Sequence, residues 1–322
     1  MPETIVILDP INAETARRMR ALAPEGMVVE HATARDPAHL AALVAGADYI
    51  VSGQVAVDAT LLKAAPRAKL LHKWGVGVDN FDLEAARALK VKVARTTGSN
   101  ALPVAEFTLG LMIALLRNLS IGHVTLRQGE WRTNAMPKRS LMLSGKTVGI
   151  IGFGAIGQTV ARLLAGFGCR ILYNKPRRLE AAQEAALGVT FATVPELLAQ
   201  SDIVSLHCPM TPETAGLIDR AALRSMQRHA VLINVARGGV VVEADLVEAL
   251  RAGEILGAAT DVYEMEPVPP DHPLLQMENV VATPHIAALA ADNFEKGVRQ
   301  MFDNIALVAR GEAVPQQDLV VG

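Results

Sequence analysis

Apolar runs of strand length alternate with stretches of helical spacing along this chain, and the alternation stops once and begins again. Residues 5–8, 49–51, 70–74 and 91–94 read as strands, and residues 12–22, 37–44 and 83–89 carry helical spacing between them. Strands this apolar are covered on both faces, so the rhythm predicts parallel strands joined by crossover helices. Asn12 and Asp82 each stand where a side-chain oxygen can take an open first-turn amide, and both are expected N-caps.

From Thr147 the rhythm restarts, with strands expected at 148–151, 170–173, 203–206, 231–234, 256–260 and 280–282. Between the two runs lie one long apolar helix, residues 101–121, and a looser stretch, 128–144, with Gly129 and Pro137. After Pro284 the pattern is helical through 287–310 and stops at Gly311, as a helix returning the chain to its first domain would. The reading is α/β, with two doubly wound parallel-sheet domains: a discontinuous one, 1–99 plus 290–322, and a second, 100–289.

Composition narrows the partners. Of 322 residues, 51% are hydrophobic and 20% charged, enough apolar surface for two large cores and too little charge for a disordered chain. With 31 Lys and Arg against 33 Asp and Glu, the chain lacks the basic excess of a nucleic-acid or membrane-surface binder, so a small molecule is the expected partner. Glu106 and Arg117 interrupt the most apolar window, whose uncharged part is shorter than the roughly 20 residues of a membrane crossing, so it reads as a buried helix. Cys169 and Cys208 have neither CxxC nor Cys/His ligand spacing, which predicts two thiols, no zinc site and no other metal. The N-terminus runs directly into a strand without a basic, then apolar leader, and a cytoplasmic protein is expected.

The most specific local signal is Gly152-Phe153-Gly154-Ala155-Ile156-Gly157, which follows one predicted strand and opens a helical pattern. In a dinucleotide-binding Rossmann turn the first glycine makes the bend, the second admits the pyrophosphate, and the third lets helix and strand touch. About 20 residues further on, where NAD-specific domains carry an acidic ribose ligand, this chain has Asn174-Lys175-Pro176-Arg177-Arg178. A carboxylate there would repel a 2′-phosphate, whereas Asn174 can hydrogen-bond it and Lys175, Arg177 or Arg178 can supply charge, so NADP is expected over NAD.

Three polar residues follow at strand ends: Arg237 in Asn234-Val235-Ala236-Arg237-Gly238-Gly239, Glu266 before Pro267, and His285 in Thr283-Pro284-His285-Ile286. The Arg237 fork can take a carboxylate bidentately, and His285 can exchange protons near neutral pH. With these stretches, Lys73-Trp74-Gly75-Val76-Gly77-Val78-Asp79-Asn80, the run 100–106, and Leu206-His207-Cys208-Pro209-Met210-Thr211-Pro212-Glu213-Thr214, the chain resembles the D-isomer-specific 2-hydroxyacid dehydrogenase family over nearly its whole length.

The resemblance implies a flavodoxin-like substrate domain beside the Rossmann domain, and a homodimer whose arm includes residues 122–131. It makes His285 the acid/base, Glu266 its orienting carboxylate and Arg237 the clamp on the substrate's carboxylate and carbonyl oxygens. Substrate contacts are expected from Trp74, Gly75, Val76 and Gly77 as well, and Met136 is a second candidate to crowd the pocket. Trp74 reads equally as a core aromatic. Around the cofactor the resemblance places His207, Cys208, Pro209, Thr214, Val235, Ala236 and Asp261 together with the glycine turn, Arg237 and His285, with Asp261 on the nicotinamide carboxamide.

Hinges are expected near 97–100 and 283–285. The leading function is NADPH-dependent reduction of glyoxylate or hydroxypyruvate. Two alternatives stay open: an NAD-linked dehydrogenase of a phosphorylated or bulkier hydroxyacid, disfavoured by the lack of a regulatory extension after Gly311, and a non-enzymatic dinucleotide sensor, disfavoured by the complete Arg237, Glu266 and His285 set.

Overall fold

The computed structural model describes residues 2–133 and 140–322. They gather into two compact units, Met1–Asn100 with Ala290–Gly322, and Ala101–Leu289. The strands in chain order are β1 Glu3–Ile7, β2 Met27–His31, β3 Tyr49–Ser52, β4 Leu70–Lys73, β5 Lys92–Arg95, β6 Thr147–Ile151 and β7 Arg170–Asn174. They continue with β8 Val189–Phe191, β9 Ile203–Leu206, β10 Val231–Asn234, β11 Gly257–Thr260, β12 Val280–Ala282 and β13 Leu319–Val321.

The first unit holds a six-stranded sheet in the order β13-β5-β4-β3-β1-β2, parallel except for β13, which runs antiparallel to β5. Its strands read as unbroken apolar runs because both faces are covered. Ile5, Ile7, Tyr49 and Val51 face one core, where the helix Phe294–Ala309 lays down Val298, Met301, Phe302 and Ile305. Val6, Leu8, Ile50 and Leu71 face the other core. Asn12 and Asp82 cap their helices as expected, accepting from Thr15 N at 2.8 Å and Ala85 N at 2.9 Å.

His72 on β4 is fully buried. Its Nδ1 donates to the Lys73 carbonyl at 2.9 Å, and Asn304 Nδ2 donates to its Nε2 at 3.1 Å and to Asp318 Oδ2 at 3.2 Å. Burial pushes this imidazole down to about 4.

The second unit holds a fully parallel seven-stranded sheet, β12-β11-β10-β9-β6-β7-β8. The expected α/β class with two parallel-type sheets is borne out. Strand order reverses at β6, which lies between β9 and β7, and such a switch point opens a crevice beyond the strands' carboxyl ends.

Several expectations need correction. The 101–121 helix is two helices, Ala101–Leu116 and Leu119–Arg127, bent by 64° at Asn118, whose left-handed φ of 52° an Asn tolerates better than most side chains. No single helix among the described residues is long and apolar enough to cross a membrane. The helix expected from 287 begins only at Phe294, because the Ile286 and Ala287 amides donate to Asp261 instead of entering a helical ladder. Strands β2, β8 and β13 were not expected; all three lie at sheet edges, and β8 and β13 have only three residues, so their half-covered surfaces leave a weak apolar signature. Met136 lies outside the described residues.

Candidate active site

Every polar candidate in the second unit follows the carboxyl end of a parallel strand, which brings six chain segments to one edge of the sheet. At the switch point Gly152 takes a φ of 94°, and a Cβ there would run into the backbone of His207 and Cys208. The turn after β6 is thereby pressed onto the end of β9, and Gly152 N donates to the Asn174 carbonyl at 3.0 Å at the end of β7. A Cβ on Gly157 would meet the Gly152 carbonyl, whereas one on Gly154 would meet nothing within 4 Å. Gly154 caps the helix Ala155–Ala165 with no side chain over its first amides. This turn, with Ala155 and Ile156 starting the helix, is closed on the protein side and open on the other, the shape a pyrophosphate requires. The residues fit a dinucleotide.

The expected basic loop divides in two. Arg178 is held by Glu184, with Nε and Nη2 each donating at 2.8 Å, and it lies over the Phe191 ring. That pair, with the Tyr173 hydroxyl, holds the Glu184 carboxyl down to about 2. Lys175 and Arg177 have no ion-pair partner among the described residues. Asn174 points its Nδ2 at the Ala192 carbonyl, 2.8 Å away.

His207 sits beside the turn with Nε2 2.9 Å from Ser205 Oγ, while its buried Nδ1 has no partner among the described residues. Desolvation pushes this imidazole down to about 3, and burial pushes the neighbouring Cys208 thiol up to about 11. Both are therefore neutral near pH 7. After exposed Pro209, the Thr214 hydroxyl is spent inside its own loop, donating to the Pro209 carbonyl at 2.6 Å and accepting from Thr211 N at 2.8 Å.

At the ends of β10, β11 and β12 the structure brings together a coherent set. His285 Nδ1 lies 2.6 Å from Glu266 Oε2, and both side chains are 36% exposed. The carboxylate's second oxygen accepts the Tyr263 amide at 3.1 Å. Burial raises the Glu266 carboxyl, but the His285 and Tyr263 hydrogen bonds and the His285 and Arg237 charges outweigh it, leaving it below the usual carboxylate range. Arg237 is part of this field. Asn234 shapes the Val235-Ala236-Arg237 turn, accepting from Ala236 N and donating to the Arg237 carbonyl, both at 3.0 Å.

His285 adopts a left-handed φ of 54°, unusual for a residue with a Cβ. The almost fully buried Asp261 holds it there. Its carboxylate accepts from Thr283 Oγ1 at 2.6 Å, Ile286 N at 2.9 Å and Ala287 N at 2.8 Å, a bracket on both sides of the histidine. Sequence reasoning missed Tyr263, Thr283 and Asn234, none of which carries a reactive group that would single it out.

In the first unit, Trp74 is half-buried with its ring edge-on to Phe294, centroids 6.1 Å apart, so it contributes to the core. The Gly75 carbonyl accepts from both Thr96 N and Thr96 Oγ1. The Val76 and Gly77 amides have no hydrogen-bond partner among the described residues.

A parallel sheet with a glycine turn at its switch point and a His–Glu pair with an arginine along the same edge define a dinucleotide-dependent enzyme fold. The family model for the D-isomer specific 2-hydroxyacid dehydrogenase NAD binding domain matches residues 109–287. A glyoxylate reductase from Korarchaeum cryptofilum is 39% identical over 261 residues, 80% of this chain and 78% of that protein. A D-3-phosphoglycerate dehydrogenase from Mycobacterium tuberculosis is 38% identical over 276 residues, 86% of this chain but 52% of that protein, so the match spans about half of that relative's length. The solved NADPH-dependent glyoxylate/hydroxypyruvate reductase of Sinorhizobium meliloti, in complex with citrate, superimposes with a TM-score of 0.84 at 32% identity, covering 99% of this chain and 97% of that one. The chain belongs to the D-isomer-specific 2-hydroxyacid dehydrogenase family, and its second unit carries that family's nicotinamide-dinucleotide-binding domain.

Proposed function

We propose that this chain reduces a small 2-oxo acid, with glyoxylate and hydroxypyruvate as leading substrates, to the D-2-hydroxyacid, using NADPH in preference to NADH. The observation that carries the reading is the His285–Glu266 pair at 2.6 Å beside Arg237. With Nδ1 committed to Glu266, Nε2 is the imidazole nitrogen left to give a proton to the developing alkoxide. Glu266 fixes the ring and balances its positive charge, while Arg237 lowers the energy of negative charge on the substrate's oxygens. When bound, the nicotinamide supplies the hydride. The Val76 and Gly77 amides, without a hydrogen-bond partner among the described residues, support a carboxylate-binding role for the loop 74–77.

The preference for NADPH rests on Asn174 standing where an acidic ribose ligand would be, and on the two cations, Lys175 and Arg177, that lack ion-pair partners among the described residues. A cytoplasmic location goes with this reading, supported by two free cysteines. So does a homodimer, supported by the apolar side chains that one segment exposes: Leu119 at 55%, Leu126 at 57%, Trp131 at 79% and Met142 at 71%. Light scattering on a sizing column tests it, with Trp131→Glu expected to shift the protein toward monomer.

Steady-state oxidation of NADPH and NADH across glyoxylate, hydroxypyruvate, pyruvate, phenylpyruvate and 3-phosphohydroxypyruvate tests the function. Turnover of a small oxo acid with NADPH supports it. Turnover confined to 3-phosphohydroxypyruvate with NADH would favour the second reading, for which the 38% identity to the mycobacterial enzyme is the support.

A further inference from the structure

One residue touches all three loops that carry Arg237, Glu266 and His285. The Tyr263 amide donates to Glu266 Oε1 at 3.1 Å, which leaves Oε2 to the His285 imidazole. The Tyr263 hydroxyl donates to the Thr283 carbonyl at 3.0 Å, two residues before His285. A Cβ on Gly238 would fall on the Tyr263 carbonyl, so the turn after Arg237 rests directly on the Tyr263 backbone.

We infer that Tyr263 is a positioning residue, holding the Arg237, Glu266 and His285 loops in the register that proton transfer needs. The inference rests on the reading of those three side chains as the reacting set.

The geometry around the ring supports it. Tyr263 is 6% exposed and stands edge-on to His272, with ring centroids 6.4 Å apart. His272 Nε2 lies 3.1 Å from Glu243 Oε2, and the other Glu243 oxygen accepts Glu264 N at 2.8 Å. In return Glu264 accepts Glu243 N at 3.0 Å, so the loop bearing Tyr263 is tied to the start of the helix Glu243–Ala252. The hydroxyl is the one flexible end of this brace that reaches the His285 side. Burial, together with the negative charges of Asp261, Glu243 and Glu266, pushes the phenol up to about 12, so it remains a donor at any working pH. Without this bond the Thr283 carbonyl keeps only the His285 amide, 3.1 Å away within the same turn, and no side chain outside that turn fixes its direction.

Tyr263→Phe removes only that hydroxyl. We expect kcat for 2-oxo acid reduction to fall about 3- to 10-fold, the size of one neutral hydrogen bond, with both KM values within about twofold of wild type. The Glu266 carboxyl, followed by carbon-13 NMR, should titrate closer to the ordinary 4.5 as its imidazole partner drifts. Tyr49→Phe is the control, since its hydroxyl donates to Glu3 Oε2 at 2.6 Å in the other unit and its loss should lower Tm without changing kcat. A Tyr263→Phe protein that merely loses Tm, with wild-type kcat and an unmoved Glu266 titration, overturns the inference. If wild type reduces no 2-oxo acid, the functional reading fails by itself. The NMR titration then still decides this one, because it needs no turnover.

Discussion

His285 and Glu266, 19 residues apart in the chain, meet through Nδ1 and Oε2 at 2.6 Å, and the contact fixes which imidazole nitrogen is free for chemistry. It also holds the Glu266 carboxyl below its usual value of 4.5. A depressed carboxylate adds stability that is fully present above the unfolded value and is lost as the pH falls through the folded one. The pair should therefore stay intact from neutral pH down past 4.5. Glu266→Gln is expected to slow oxo-acid reduction at pH 7 by about tenfold or more. Dinucleotide binding, read by fluorescence titration, should hold. His285→Ala should abolish turnover; full activity in either variant removes that residue from the mechanism.

Arg237 owes its place to an extended backbone, φ −144° and ψ 145°, and to Asn234 bonding both sides of its turn. Lysine keeps the charge and loses the planar fork. Arg237→Lys should lower kcat/KM by about 100-fold, mostly in kcat if the fork acts on charge that develops during reduction. Wild-type kinetics would mean that a point charge is enough.

The cofactor loop offers a cleaner experiment than its composition suggests, because Arg178 is already spent on Glu184 and should be left alone. The double change Asn174→Asp with Arg177→Ser places a carboxylate at the end of β7 and removes a cation. We expect the NADPH to NADH ratio of kcat/KM to fall about 100-fold. An unchanged ratio would show Lys175 and Arg177 to be solvated surface charges. The Asp also gives up the Asn174 bond to the Ala192 carbonyl, so Asn174→Ser with the same Arg177 change is the control for that loss.

His72 predicts acid sensitivity in the first unit. Its imidazole titrates at about 4 in the folded protein against 6.5 unfolded. Below 6.5 the unfolded chain binds a proton that the folded one refuses, so stability falls as the pH drops from 6.5 toward 4. Between pH 6.5 and 5 the loss is about 2 kcal/mol. Chemical unfolding at the two pH values measures it, and His72→Gln should flatten the dependence even if it is less stable at pH 7. An equally steep fall in the variant would place the acid sensitivity elsewhere.

Much of this was legible in one dimension. The apolar runs of β1, β3, β4 and β9 mark strands covered on both faces, and Asn12 and Asp82 announce their helices, because each signal is complete within a few residues. The glycine turn is legible for the same reason: its three glycines lie within six residues, and a Cβ on Gly157 would meet the Gly152 carbonyl. Less visible were the break at Asn118 and the late start of the helix at Phe294. The first depends on a single residue adopting a left-handed φ, the second on Asp261 capturing amides 25 and 26 residues away.

By itself, then, the sequence determined the α/β class and the dinucleotide turn and singled out the side chains proposed to react, since these depend on periodicity and residue type. The tertiary structure decided what those side chains are free to do. It committed Arg178 to Glu184, turned Trp74 toward Phe294, made Asp261 the bracket of the His285 loop and put Tyr263 against three loops at once. Hydrogen bonds and close packing join groups by distance in space, and the distance along the chain does not encode them.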